Sequence, residues 1–234
     1  MLKISVLLPV KNGEKYIAES IESILRQTFQ EFEVLVFDDN SSDRTVELIK
    51  KYNDPRIKIY LSKDGFIANL NKGIEVANGL YIARMDADDI MHPLRLESQL
   101  KIIENEKVDV CSSWRIIFGE GFEPYIHESY YGLIPNPISL FYYFNFIVHP
   151  TVMMRKEFLV QHGLRYEHYP SVEDYKFWVE IAKKNGTFYI DPTPLLFYRM
   201  SDDQVSTTSQ EEMSRQSTAM REEIANYMQG LSSS

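Results

Sequence analysis

The chain has 234 residues, 44% hydrophobic and 13% aromatic, enough to bury a sizeable core in a single domain with an appendage. Its 25 Lys and Arg against 34 Asp and Glu leave a formal net charge of −9, which argues against a protein that coats nucleic acid or anionic lipid. A single cysteine, Cys111, excludes an internal disulfide and any Cys-rich zinc module, and no apolar run approaches the ~20 residues that span a bilayer.

In chain order, Ile4 to Val10 is a nearly unbroken apolar run rich in branched residues, the pattern of a buried parallel strand. After Asn12-Gly13, the residues Ile17, Ser20, Ile21, Ile24 and Leu25 recur at helical spacing. Val34 to Phe37 predicts a second strand, running into Asp38-Asp39-Asn40-Ser41-Ser42-Asp43, residues that cap helices and make turns. A helix through Val46, Ile49 and Tyr52 follows, then a strand at Ile57 to Leu61, a helix through Leu70, Ile74 and Ala77, and a strand at Leu80 to Met85. Pro93 stands at a helix start whose buried stripe is Leu96, Leu100 and Ile103, and Val108 to Phe118 predicts a fifth strand.

This alternation implies an α/β fold with a mostly parallel, Rossmann-like sheet and helices on both faces. Beyond Gly121 the rhythm breaks. Phe122 to Phe146 is dense in aromatics and holds Pro124, Pro135 and Pro137, which predicts an irregular insertion and then a helix. Thr151 to Met154, Thr187 to Ile190 and Leu195 to Arg199 read as strands, and Glu173 to Lys184 as an amphipathic helix. A final helix over about Gln210 to Gln229 carries an apolar stripe of Met213, Met220, Ile224 and Met228, with Leu231 beyond. Its acids outnumber its bases, so the stripe is expected to pack on its own domain or contribute to a homodimer, not to anionic lipid. The expected organisation is 1–118 as one α/β half, 119–206 as the second half of the same domain, and 207–234 as a C-terminal helix and tail.

Ligands of an open parallel sheet bind outside the carboxyl ends of its strands. The first strand delivers Pro9, Val10, Lys11 and Asn12 there, the second Asp38 and Asp39, the fourth Asp86, Asp88 and Asp89. Clustered carboxylates repel unless a cation joins them, and Mg²⁺ or Mn²⁺ takes one or two carboxylates together with phosphate oxygens. An EF-hand is excluded by Ile90 and Met91, and a Gly-rich dinucleotide fingerprint by the lone Gly13. Asp39 can cap the next helix or select a base with a ring N–H, since a carboxylate only accepts hydrogen bonds. Glu173-Asp174 either complements the positive end of its helix or supplies a general base.

Together the stretches ISVLLPVKNGEKYIAESIESILRQTF, FEVLVFDDNSSDRT, LNKGIEVANGLYIARMDADDI, HPTVMMRK, VEDYKFWVEIA and YRMSDDQVS, in this order over most of residues 2–206, carry a resemblance. The chain resembles the inverting glycosyltransferases of family two, which have the GT-A fold. The resemblance implies that Pro9, Val10 and Asn12 line the nucleoside of a nucleotide-diphospho-sugar donor, that Asp39 accepts from its base, and that Asn71 and Arg84 lie along the donor. Asp86 and Asp88 match the DXD pair, Asp88 as the direct ligand of Mn²⁺ or Mg²⁺ and Asp86 nearer the ribose. Asp174 matches the catalytic base, and His149 and Arg155 fall in a block near the sugar and diphosphate. Ser201 stands where many relatives have histidine, which puts metal affinity in doubt unless Asp202 or Asp203 substitutes.

The implied activity is transfer from a donor, expected to be UDP-linked, to a glycan or lipid-linked acceptor, with the aromatics of 122–146 as core, contact surface or sugar-stacking platform. No nucleic-acid partner is expected. A cytoplasmic location is expected, compatible with contact at the inner face of the membrane. The alternatives are a catalytically inactive nucleotide-sugar binder or assembly protein, and a sugar nucleotidyltransferase, whose Gly- and Arg-rich first loop is missing after Val10.

Overall fold

β1 (Ile4–Val10) is buried at every position, as a strand must be when it has neighbours on both edges and helices on both faces. β2 (Phe32–Asp39), β3 (Ile57–Ser62) and β4 (Tyr81–Arg84) run parallel to it in the order β3-β2-β1-β4. The computed structural model describes residues 2–121, 123–169, 171–200 and 210–232. The crossovers are α1 (Ile17–Leu25), α2 (Thr45–Lys50) and α3 (Phe66–Val76).

Beyond β4 the sheet becomes mixed, short antiparallel pairings joining the longer parallel ones. β9 (Met153–Arg155) is inserted antiparallel between β4 and β6 (Val110–Gly119). β10 (Phe188–Met200) then runs parallel to β6 and meets the two-residue β5 (Ile90–Met91) antiparallel. β7 (Tyr125–His127) folds back on β6, and β8 (Gly132–Ile134) on β10. The predicted strands at 187–190 and 195–199 are one strand, kinked where Pro192 and Pro194 cannot donate to the ladder and the register shifts between Asp191 and Leu196. Because β10 and β9 pair with strands of the first half, the two halves share one sheet.

The period-two alternation of the strands sends Ile4, Val6, Leu8, Val34 and Val36 to one face, against α1, α2 and α4 (Arg95–Glu106). The other face carries Leu7, Leu35, Phe37 and Ile82. It packs against α3, α5 (Pro137–Phe141), α6 (Lys156–Gln161), α7 (Glu173–Lys183) and α8 (Gln210–Ser232).

The α8 stripe is covered from within the chain. Met220 and Ile224 are fully buried in that second core, Met228 is partly buried against it, and Leu231 stays exposed. The Met213 side chain lies outside the described residues. Glu223 pairs with Lys176 (2.6 Å) and Lys183 of α7, and the Tyr227 hydroxyl donates to the Lys183 carbonyl (3.1 Å). Truncating a fully buried Ile to Ala leaves a cavity, so Ile224→Ala is expected to cost about 3 kcal/mol in urea unfolding. An unchanged midpoint would make α8 a dispensable tail.

Candidate active site

The strand order reverses at β1 and β4, and the crevice between their carboxyl ends collects the loops that matter. Pro9 and Val10 close β1 at its rim. Asn12 takes φ of 51°, a left-handed conformation that Asn tolerates. Its N–H donates to Ser41 Oγ and its Oδ1 accepts from the Ser42 N–H, both at 2.8 Å. The loops after β1 and β2 are thereby zipped together, and the Asn12 amide oxygen is engaged in that zip. Asp38 is buried and accepts from the Ser41 N–H, while Asp39 accepts from the Gly65 N–H (3.1 Å) and faces Lys11 Nζ at 3.4 Å.

Immediately after β4, Asp86, Asp88 and Asp89 bring ligand oxygens within 4.8 Å of one another. Asp89 is completely buried, and its Oδ1 accepts the Arg199 N–H at 2.9 Å. Its Oδ2 has no partner among the described residues. Burial, then the neighbouring charges of Asp86 and Asp88, push its pKa well above the usual carboxylate range. This arrangement fits a hard divalent cation, which would relieve the repulsion and occupy the orphaned oxygen. Arg199 braces the loop, donating from Nε to the Asp88 carbonyl (2.8 Å) and pairing with Glu19. The residues 201–206, including Ser201, Asp202 and Asp203, lie outside the described residues.

Arg84 ends β4 with only 3% of its surface exposed. Nη2 holds Asp86 Oδ1 at 2.6 Å, the guanidinium lies 5.8 Å from the Phe66 ring centre, and Nε and Nη1 have no partner among the described residues. Buried N–H groups without acceptors are costly, and an anionic ligand oxygen would satisfy them. The same charge acts on the opposite wall, favouring the ionised forms of Glu173 and Asp174 and the neutral form of His149.

His149 begins a 3-10 turn (His149–Thr151) before β9. Burial holds its pKa well below the usual value, and its Nε2 shares a 2.9 Å hydrogen bond with the Tyr166 hydroxyl. Tyr166 stacks on Phe177 with ring centres 4.0 Å apart. Asn71 grips the Tyr166 backbone with both ends of its amide, Nδ2 to the carbonyl (2.9 Å) and Oδ1 from the N–H (2.8 Å). Its side chain thus fixes the wall on which Tyr166 and His149 sit.

Asp174 opens α7, accepting from the Tyr175 N–H (2.7 Å) at Oδ1 and from Asn145 Nδ2 (3.0 Å) at Oδ2. Burial raises its pKa against those donors. Glu173 beside it is pushed up to about 7 by burial and then by the charge of Asp174.

Arg155 is not brought to this crevice. It pairs across the sheet with Tyr81 at the start of β4, the opposite end from Arg84, and its guanidinium binds Asp109. The HPTVMMRK block enters β9 antiparallel to β4, so His149 and Arg155 fall at opposite ends of the sheet. Asp89 and Glu173, both read from the sequence among the candidate acids, belong to the site, as do Tyr166 and Asn145, which no residue pattern singled out. For Asp89 the acidic cluster Asp86-Ala87-Asp88-Asp89 was the signal; for Asn145 there was none. The aromatics of the insertion divide, with Phe141 and Phe146 buried while Tyr130, Tyr131, Tyr143 and Phe144 are exposed.

A sheet of this order, with a buried arginine and clustered aspartates at the crevice mouth, is the architecture of a GT-A glycosyltransferase domain. The chain belongs to glycosyl transferase family 2, whose family model matches residues 5–163. It is similar to an uncharacterised glycosyltransferase of Haemophilus influenzae, 33% identical over 238 residues covering 96% of this chain and 73% of that protein. One from Methanocaldococcus jannaschii is 34% identical over 211 residues, covering 84% and 70%. Among solved structures, S. aureus TarS in complex with UDP-GlcNAc matches at TM-score 0.73 and 23% identity over 86% of this chain and 60% of that one. The mannosyltransferase PcManGT from Pyrobaculum calidifontis, in complex with GDP-Man and Mn²⁺, matches at TM-score 0.66 and 15% identity over 89% and 59%. These two likenesses carry the fold, and the chain spans about three-fifths of each solved chain.

Glu173 gives a pH test of this geometry. A carboxyl raised from 4.5 to about 7 binds more protons folded than unfolded, so its contribution to stability is present at low pH and lost as pH rises through 7. Glu173→Gln is therefore expected to gain on the wild type between pH 5 and 8 by as much as about 3 kcal/mol in urea unfolding. Parallel stability curves would show that Glu173 is not held in a charge-hostile site.

Proposed function

We propose that this chain transfers a sugar from a nucleotide-diphospho-sugar, UDP-linked, to a hydroxyl of a glycan or lipid-linked acceptor, with inversion at the anomeric carbon. The observation that carries this reading is Arg84, whose one buried guanidinium is tied to Asp86 on the metal-ligand side and acts on Asp174 on the other. A donor diphosphate placed there meets the spare Nε and Nη1 donors of Arg84, and an acceptor placed beside α7 meets a carboxylate.

The acids of the β4 exit suit a Mn²⁺ or Mg²⁺ held by Asp88 and Asp86, with Asp89 behind them. When bound, such an ion supplies positive charge to the leaving diphosphate. The chain's own residues do the rest. Arg84 donates to phosphate oxygens, more strongly as charge develops on them. Pro9, Val10 and the zipped loops at Asn12 and Asp39 offer a rim for the nucleoside, where a carboxylate accepts from the ring N–H of uracil. His149, kept neutral, and Tyr166 form the wall beside Arg84. Asp174 takes the acceptor proton, and attack from the face opposite the leaving group inverts the centre. The exposed faces of Tyr130 and Phe144, stacked with centres 6.0 Å apart, adjoin Asn145 and suit a sugar ring.

The inactive-binder alternative lacks such a reason for a carboxylate held beside the crevice, and the outcome of two substitutions separates it. Asp88→Asn is expected to lower turnover at least a hundredfold with the fold intact, since an amide is a poor ligand for a hard cation. Asp174→Asn is expected to abolish transfer while leaving donor affinity within about twofold by calorimetry. Equal activity in EDTA and in Mn²⁺ would refute the metal assignment, and loss of donor binding in Asp174→Asn would refute the base. A thermal-shift screen of UDP-, GDP- and dTDP-sugars with Mn²⁺ tests the nucleotide, the largest rise being expected with UDP.

A further inference from the structure

Asn145 lies in the irregular insertion, 29 residues before the carboxylate it touches. It is half-buried between the exposed Tyr142-Tyr143-Phe144 run and the buried pair Phe146 and Ile147. Phe146 stacks on Phe141 with ring centres 4.2 Å apart, so the segment is anchored immediately after Asn145. The orientation of the amide follows from its two partners. The Ile147 N–H can only donate, so the atom 3.2 Å from it is Oδ1. Nδ2 must then face Asp174 Oδ2, at 3.0 Å. Asp174 is clamped from two sides: its own helix supplies the Tyr175 N–H to Oδ1 and the insertion supplies the amide to Oδ2. One lone pair of each oxygen is used this way, which leaves the others to an incoming hydroxyl.

We propose that Asn145 is the positioning residue of the transfer reaction, its amide holding the Asp174 carboxylate in one orientation for the acceptor hydroxyl. This rests on Asp174 being the base. The charged and titratable groups that face Asp174 are Arg84 from β4, Glu173 from its own helix and Tyr166 from the segment before it, with Asp86 acting on Glu173. Burial favours the protonated acid, whereas Arg84, the Tyr175 N–H and the Asn145 amide favour the carboxylate. Removing the Asn145 donor shifts that balance toward the proton, so the base is lost at a higher pH as the medium is acidified. The insertion thereby bears directly on the base. A change in its conformation at Asn145 would turn the base down without touching the donor site.

Two variants separate this role from a structural one. Asn145→Asp keeps an oxygen for the Ile147 N–H and removes only the donor to Asp174; Asn145→Ala removes both. The Asp174 titration is read directly by carboxyl-carbon NMR of aspartate-labelled protein, assigned with Asp174→Asn, and needs no acceptor. In Asn145→Ala the midpoint is expected to rise by about one unit, and in Asn145→Asp by more, because a second carboxyl then faces the first. The acidic limb of UDP-GlcNAc hydrolysis should move up with it, with UDP affinity unchanged. Midpoints within about 0.2 unit of the wild type in both variants would overturn the proposal. If Asp174→Asn keeps full hydrolysis, the base assignment fails instead, and the NMR shift still decides whether Asn145 sets the state of that carboxyl.

Discussion

Two guanidinium groups lie beneath the mouth of the crevice, Arg84 with 3% of its surface exposed and Arg95 with none. Burying a charge costs several kcal/mol unless it is paired and hydrogen-bonded, so the structure around them is constrained by their partners. Arg95 donates from Nη2 to the carbonyls of Arg84 (2.7 Å) and Val152 (3.2 Å), and from Nε to Gln99, whose own Nε2 reaches the carbonyls of Cys111 and Thr151. The first turn of α4 thus pins the end of β4, the entry to β9 and the start of β6. This is the seam where the parallel half of the sheet gives way to the mixed half. Burial lowers the Arg95 pKa to about 9, and the charge of Asp89 opposes that fall. The acids above the seam and the cations below it therefore require each other, and an acidic chain still presents positive charge at the crevice mouth.

The opposite wall depends on α7, whose first turn carries Glu173 and Asp174 and whose later turns are tied to α8. Lys176 and Lys183 share Glu180 and Glu223, and the Tyr169 hydroxyl also reaches Glu223. Burial would raise the Glu223 pKa, but the hydrogen bonds from the two lysines overcome this and keep it low. With Met220 and Ile224 in the core beneath, the C-terminal helix fixes the position of the helix that holds the carboxylate. Because α8 already covers its own apolar stripe, that stripe does not demand a second chain.

The order of strands and helices through Phe118 was legible because both periods are local: the side chains that alternate along Ile4 to Val10 are the ones the two faces bury. The acidic strand ends were legible for the same reason, since Asp38, Asp39 and Asp86 to Asp89 follow directly on apolar runs. Short elements were not. β5 has two residues, and β7 and β8 three each, too few for any period to show, and β10 looked like two strands because its prolines interrupt the pattern without ending the pairing.

Neighbouring residues settle the alternation of the first half, the two buried faces of the sheet, the acids at the strand ends and the family resemblance. Folding in space parts His149 and Arg155 to opposite ends of the sheet, sets Asn71 on a backbone 95 residues away, and brings Asn145 to Asp174. It likewise leaves Arg84 with donors that have no partner among the described residues and drives Glu173 toward neutrality. These outcomes depend on strand direction, burial and convergence through space. A residue's chemistry there is set by what the fold brings against it, and local spacing carries no record of that.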